Sequence, residues 1–408
     1  MLNNNKAKIC IVSQSHLCRN PRVLKEALAL SAALYRVTIL TAIYSDPLYR
    51  EDLSLLSGTG ISYEIYSDLR KPAIAGFISR LTKKFWLFAQ SAGIESRLSL
   101  GYGALRLKKR ICMQKADLYI MHQELATVTG SLMVHTSKVA FDIEDWYSQD
   151  LLPSARKKRP IKLLKRAEKI AIEDGVACYT TSHALALGLQ AFYKTTNMPS
   201  VIYNSFSPNS SVCVPKKQDV LHLYWLSQTI GEGRGLEFFI HCMAQSTTKF
   251  KLSLRGNVSE SYKNSLSRRL SPKDQIVFLP LLKNQEILAD TGRYHIGLAL
   301  EPDNPPNKDL TVSNKLFHYM AAGLPVIASY TQGHAEIATQ CPDFIFLYKQ
   351  NQAVELTGIL NQVGSKLQTN ELSRLKSKIL HFYTSKFSWP GEAAKLVNLI
   401  NRIFEKES

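Results

Sequence analysis

The sequence predicts an α/β protein of two doubly wound domains, and three observations carry that expectation. Its 408 residues are about twice the size of a usual single domain. A composition of 45% apolar and 21% charged residues belongs to a folded chain and excludes disorder as the main state. Short, β-branched apolar runs alternate with longer stretches of helical period, the pattern of βα units on a parallel sheet, and they do so in two series.

In the first series strands are expected near Ile9–Ser13, Val37–Thr41, Ile61–Tyr66, Leu118–Met121, Val139–Ile143, Ala177–Thr181 and Val201–Tyr203, with helices between them. The helix opening at Pro21 is well marked: Asn20 is a candidate N-cap, proline takes the first position, and Val23, Leu24, Ala27, Leu28 and Ala29 supply an apolar face. Residues Ser205–Asp219, rich in Pro, Ser and Asn, break the rhythm as a connector would. The second series places strands near Leu221–Leu226, Lys251–Leu254, Ile276–Leu279, His295–Leu300, Pro325–Ala328 and Phe344–Leu347. In such sheets ligands bind outside the carboxyl ends of the strands, which for two domains means a cleft.

Charge narrows the partners. There are 51 Lys and Arg against 33 Asp and Glu, a net +18. The excess is densest between Arg70 and Lys115, where eleven basic residues meet one acidic residue, Glu95, and between Arg156 and Lys169, where eight meet Glu168 alone. Such clusters attract nucleic acid, anionic lipid or a phosphorylated substrate. The seven cysteines include no C-x-x-C pair, which fits neither a disulfide framework nor a zinc site. No secretory signal and no uncharged run of membrane-spanning length is present, so a cytoplasmic location is expected.

Two segments of the second domain suit a diphosphate. Ser227–Leu236 (SQTIGEGRGL) joins a strand to a helix; Gly231, Gly233 and Gly235 allow close backbone approach, and Arg234 adds a full positive charge. Thr311–Ser329 (TVSNKLFHYMAAGLPVIAS) predicts a helix that starts after Ser313 and ends at Gly323, with Ser313 and Asn314 as caps and Lys315 as a phosphate partner. Tyr319, Met320 and Ala321 are expected in helix packing. In the first domain Asp142, Glu144 and Asp145 form a dense acidic signal. Alternation puts Asp142 and Glu144 on one face, as a general base or as caps of the next helix. His122 follows its strand at the carboxyl end, and the loop Ser13–Arg22 offers His16, Arg19 and Arg22 to an acceptor or to the far end of a donor.

The string SNKLFHYMAAGLPVIAS, followed by TQGHAEI, resembles the nucleotide-sugar segment of retaining GT-B glycosyltransferases of family 4, a group that builds bacterial surface polysaccharides. NPRVLKEALALSAALYRVTIL, LYIMHQELATVTGSLM, FDIEDWYSQD and GVACYTTSHALALGLQAFY are similar in order to segments of its first domain, and FSWPGEAAKLVNLI to the C-terminal helix that returns to that domain. The resemblance implies the GT-B architecture, two Rossmann-like doubly wound domains facing a central cleft. The first comprises residues 1–205 with the helix 389–408 and the second residues 206–388.

It also implies roles. Arg234 would hold the donor diphosphate, with Lys315, Ser313 and Asn314 close to the same phosphates, and His122 would contact the transferred sugar or the acceptor. Asp145 is placed with the acceptor side. The chain departs from the family at two points: His318 stands where many members have a ribose-binding Glu, with Glu301 as an imperfect substitute for an upstream acid, and Gln228 stands where relatives often place Arg.

The expected function is transfer of a hexose-type sugar from a nucleoside-diphosphate sugar to a glycan or lipid-linked acceptor in surface polysaccharide synthesis. Retention is implied by the resemblance alone, and no cofactor or obligatory metal is expected. The stretch Arg70–Arg110 interleaves Phe77, Ile78, Phe85, Trp86, Leu87 and Phe88 with Arg80, Lys83 and Lys84. It suits either an anionic membrane surface, making the enzyme peripheral on the inner face of the cytoplasmic membrane, or a hairpin over the sheet with its basic side in solvent. A nucleotide-sugar epimerase and a non-catalytic donor-binding relative remain alternatives. Nucleic-acid binding is not expected, because the basic clusters carry no RNP, KH or zinc-finger signature.

Overall fold

The computed structural model of the protein describes residues 7–70, 74–208, 220–366 and 369–405. Part of the expected connector, residues 209–219, lies outside the described residues, as do 71–73 of the basic stretch and 406–408 of the last helix. The chain divides into two compact units, Met1–Ile202 with Ala393–Ser408, and Tyr203–Glu392.

The first unit holds seven strands: β1 (Lys8–Val12), β2 (Arg36–Ile43), β3 (Ser62–Asp68), β4 (Leu118–His122), β5 (Val139–Ile143), β6 (Ala177–Thr180) and β7 (Ser200–Val201). They form one parallel sheet in the order β3-β2-β1-β4-β5-β6-β7. β1, β4 and β5 are buried along nearly their whole length, as parallel strands covered on both faces are, and read as largely apolar runs. The helix Pro21–Ala32 starts where its caps predict, with the Asn20 side chain accepting from Val23 N. Its buried side differs from the expected apolar face: Arg22 and Glu26 are buried, while Leu28 is 38% exposed. An ion-pair cluster described below satisfies these charges. From Ala393 on, the helix Trp389–Glu405 belongs to the first unit, where Tyr35 Oη donates to Asn401 Oδ1 at 2.6 Å and the Tyr35 ring lies 5.8 Å from that of Phe404.

The second unit has six strands: β8 (Leu221–Thr229), β9 (Phe250–Asn257), β10 (Gln275–Leu279), β11 (Ile296–Ala299), β12 (Val326–Ser329) and β13 (Ile345–Tyr348). They are parallel in the order β10-β9-β8-β11-β12-β13. Trp225, Phe239, Phe250, Leu252, Leu254, Ile296 and Leu298 fill the core on one side of this sheet. Opposite, the helix Asn314–Ala321 lies against β11 so closely that a Cβ on Gly297 would come 2.1 Å from Tyr319 Cγ. Glycine there is what lets the helix seat. Gly323, with φ +74, ends this helix in the left-handed conformation, as its spacing predicts. All thirteen expected strands are present, with ends shifted by at most three residues.

Candidate functional site

Strand order locates the candidate site of the second unit. Successive connections leave β8 for β9 on one side, while β11 adds on the other, so the order reverses between β8 and β11. The crevice at the carboxyl ends of such a pair is where doubly wound sheets bind ligands. After β8 comes the glycine-rich loop. Gly233 and Gly235 take φ of +72 and +75, and Gly235 is the cap from which the helix Leu236–Gln245 starts. A Cβ on Gly231 would meet nothing within 4 Å, so the fold itself does not require glycine there. Arg234 is half-buried, and its Nη1 donates to Ser227 Oγ at 3.1 Å, which holds the guanidinium beside the strand end.

After β11 comes Glu301. Its backbone N donates to Ser329 Oγ at 2.9 Å, tying it to the end of the adjacent β12. Its carboxylate takes the Lys315 ammonium and the Ser313 hydroxyl, the latter at 3.0 Å, and Lys308 Nζ stands 3.8 Å away. Burial would raise this carboxyl, but Lys315 and Lys308 outweigh it and hold it down at about 2. Glu301 is therefore a fixed anion that positions Lys315 over the Trp225 ring, 5.8 Å from its centroid. Ser313 also caps the helix Asn314–Ala321, accepting from Lys315 N at 3.4 Å, and leaves Asn314 exposed in the first turn. A guanidinium, an ammonium and a helix N-terminus so lie at the carboxyl ends of the adjacent central strands β8 and β11, the chemistry that receives a diphosphate.

His318, expected among the donor-binding residues, lies inside the unit. It is buried, its Nε2 lies 2.9 Å from Thr291 Oγ1, and its ring stands edge-on to Phe206 at 5.2 Å. Burial lowers its pKa to about 4, so the imidazole is neutral. Its ring packs the helix Asn314–Ala321 against Phe206 and Thr291.

In the first unit the order reverses between β1 and β4, and the residues expected to act there are turned inward. His122, the last residue of β4, is fully buried, with Nδ1 3.1 Å from Asp142 Oδ2 and Nε2 3.1 Å from Glu26 Oε2. Arg22 grips Asp142 through Nε at 2.5 Å and Nη2 at 3.0 Å, stands 3.2 Å from Glu26, and donates from Nη1 to Ile202 O at 3.0 Å. Tyr179 Oη donates to Glu26 at 2.7 Å. Burial alone would lower the pKa of His122, yet Glu26 and Asp142 carry it to about 10. Two cations thus face two anions, and the cluster balances.

Glu26, His122 and Asp142 bring ligand-type atoms within 4.8 Å of one another, as a metal would require, but the cation among them is the Arg22 guanidinium. His122 and Asp142, expected to act on substrate, and Arg22, expected to bind acceptor, here pair their polar atoms with one another and with Glu26 of the first helix. His16, expected on the acceptor side, is likewise engaged. Its Nδ1 pairs with Asp52 at 2.7 Å, its Nε2 accepts from Tyr44 N and Ser45 N, and the ring is fully buried.

Arg19 and Asp145 are exposed, and Glu144 is half-buried just beyond β5. Burial, then the neighbouring Asp142 charge, raises the Glu144 carboxyl well above the usual carboxylate range. Sequence reasoning missed Glu26, whose spacing four residues after Arg22 was a usable signal. It also missed Tyr179, Lys308 and Ser227, which only the tertiary fold brings into place. Gln14 and Gln123 were missed too: Gln14 N donates to Gln123 Oε1 at 2.7 Å, Leu125 N donates to Gln14 Oε1, and Gln123 takes φ +68 directly after β4.

No family model and no curated protein matches the chain. Solved structures do match over nearly its full length. Anabaena HepE in complex with UDP and glucose is 15% identical, covers 97% of this chain and 100% of its own, and has a TM-score of 0.65. Sucrose-phosphate synthase from Thermosynechococcus elongatus is 14% identical over 98% of this chain and 100% of its own, with a TM-score of 0.69. The lipopolysaccharide outer core galactosyltransferase WaaB in its apo form is 14% identical over 98% and 99%, with a TM-score of 0.58. With its two parallel Rossmann-like sheets and this likeness, the chain has the GT-B glycosyltransferase fold.

Proposed function

We propose that the protein is a glycosyltransferase that moves a hexose-type sugar from a nucleoside-diphosphate donor to a glycan or lipid-linked acceptor in bacterial surface polysaccharide synthesis, on the cytoplasmic side. The observation that carries this reading is the meeting of Arg234, Lys315 and the helix N-terminus at Asn314 at the β8/β11 reversal. The UDP held by HepE, a structure of the same fold, supports it.

In this reading Arg234, Lys315, Ser313, Asn314 and the backbone at Gly231 and Gly233 bind the donor diphosphate. Glu301 acts as a positioning residue that keeps Lys315 aimed. The acceptor hydroxyl oxygen bonds to the anomeric carbon as the bond to the diphosphate breaks, and the hydroxyl proton leaves with the diphosphate when configuration is retained. Fixed cations at the leaving group stabilise the charge that develops there. On the acceptor side Glu144, Asp145 and Arg19 are proposed to meet the acceptor, while His16, Arg22, His122 and Asp142 are engaged in buried ion pairs.

The test follows released nucleoside diphosphate and the glycan product from UDP-, GDP- and dTDP-sugars with extracts of lipid-linked acceptors. Release of one diphosphate together with a new glycosidic product supports the reading. Isomerised sugar still on its nucleotide identifies an epimerase, and donor binding with no turnover on any acceptor identifies a non-catalytic relative.

A further inference from the structure

The helix Ile74–Ser91 in the first unit is turned opposite to an ordinary surface helix. Gly76, Ala89 and Gln90 are on its buried side. Ile74, Phe77, Ile78, Leu81, Phe85 and Phe88 face solvent, with exposures of 80, 65, 44, 56, 59 and 75%. At about 100° per residue all six fall within roughly 100° of arc, so they make one unbroken apolar stripe along four turns. A contiguous apolar face of this kind marks a surface that something else covers.

Charge says what covers it. Arg80 and Lys84 are exposed along one flank of the stripe. Residues 74–115 carry nine basic side chains against one acidic residue, Glu95, and that carboxylate is occupied by Lys162 N and Leu163 N at 3.1 and 2.7 Å. Beside the helix opens a cavity of about 380 Å³ whose lining includes Ile78, Leu98, Leu105, Arg106 and Arg110. Arg106 and Arg110 sit one turn apart on the helix Ala104–Met113, both exposed and with no carboxylate partner among the described residues. A second copy of the chain would set this positive field against itself, whereas a surface of anionic phospholipid complements it.

We propose that the helix Ile74–Ser91 lies in the interface of an anionic bilayer, its stripe in the acyl boundary and a lipid headgroup phosphate held by Arg106 and Arg110 at the mouth of the cavity. Arginine pairs suit phosphate because their planar forks donate in parallel. An apolar stripe flanked by basic residues is the form of helix that lies in a membrane plane without crossing it. No described helix is long and apolar enough to cross a membrane. The proposal does not depend on sugar transfer, because vesicle binding is read without substrate.

The experiment sediments the full chain with vesicles of phosphatidylcholine alone and of phosphatidylcholine with phosphatidylglycerol, at low and at high salt. Wild type is expected to bind the anionic vesicles about tenfold or more tightly and to release them in high salt. Phe77→Asp with Phe85→Asp, and separately Arg106→Glu with Arg110→Glu, are each expected to lower binding by about tenfold or more with an unchanged thermal melt, since the replaced side chains face solvent. Should the aspartate pair unsettle the fold, the arginine pair decides alone. Equal binding to both vesicle types, or undiminished binding by both variants, overturns the proposal. So does a wild-type dimer in light scattering that the phenylalanine variant dissolves, which would assign the stripe to a second copy.

Discussion

The two units carry the same kind of parallel sheet, yet they treat charge at the reversal of strand order in opposite ways. In the first, Arg22, Glu26, His122 and Asp142 are buried and pair with one another. In the second, Arg234, Lys315 and the first turn of the helix Asn314–Ala321 stay at least partly exposed, held by Ser227, Glu301 and Ser313 without being covered. The difference separates scaffold from site. Charges that close on each other fix a helix to a sheet, and charges pinned from one side remain able to meet a ligand.

The largest effect that could break this comparison is on stability in the first unit. Arg22→Met strands Asp142 and Glu26 in the interior and is expected to cost about 3–5 kcal/mol in urea unfolding, because an uncompensated buried charge is left behind. A loss near zero would mean the cluster is not a scaffold. Next comes activity in the second unit. Arg234→Ala is expected to lower transfer about 10²–10³-fold, the usual worth of one fixed donor at a developing charge. Its stability should stay within about 0.5 kcal/mol of wild type, as for other surface-side substitutions.

The pH dependence sharpens the contrast. His122 holds its proton to about pH 10 in the folded protein against an ordinary value of 6.5, so its contribution to stability is full below about 6.5 and is lost as pH rises through about 10. Urea midpoints measured from pH 6.5 to 10 should fall for wild type and flatten in His122→Gln. Glu301, held down at about 2, runs the other way: its contribution persists above its ordinary value of 4.5 and is lost only as pH falls toward 2. Smallest of all, Ser313→Ala removes a helix cap and one grip on Glu301, and should cost about 1 kcal/mol in unfolding with a few-fold weaker nucleotide binding.

Much of this architecture was readable from residues alone. Buried parallel strands announce themselves as β-branched runs, and Gly235, Ser313 and Gly323 mark loop and helix boundaries by conformations that few other residues take or cap as well. The second unit's candidate cluster was readable for the same reason, since glycine, a cap and a cation fall close together in sequence. The burial of the first unit's charges was not readable, because solvent exposure is not written in charge. Arg22 and His122 look like cleft residues until Glu26 and Asp142, distant in sequence, close around them. The helix Ile74–Ser91 shows the converse: its period was legible, but only the packing of Gly76 and Ala89 shows that the phenylalanines point outward.

The most direct test of the division between scaffold and site is calorimetric titration of wild type, Arg234→Ala and His122→Gln with UDP, GDP and dTDP. One diphosphate should bind wild type and His122→Gln alike and Arg234→Ala about tenfold or more weakly, in line with loss of a charge-assisted hydrogen bond. Binding that survives in Arg234→Ala but disappears in a folded His122→Gln, or no binding of any diphosphate to wild type, would contradict the account.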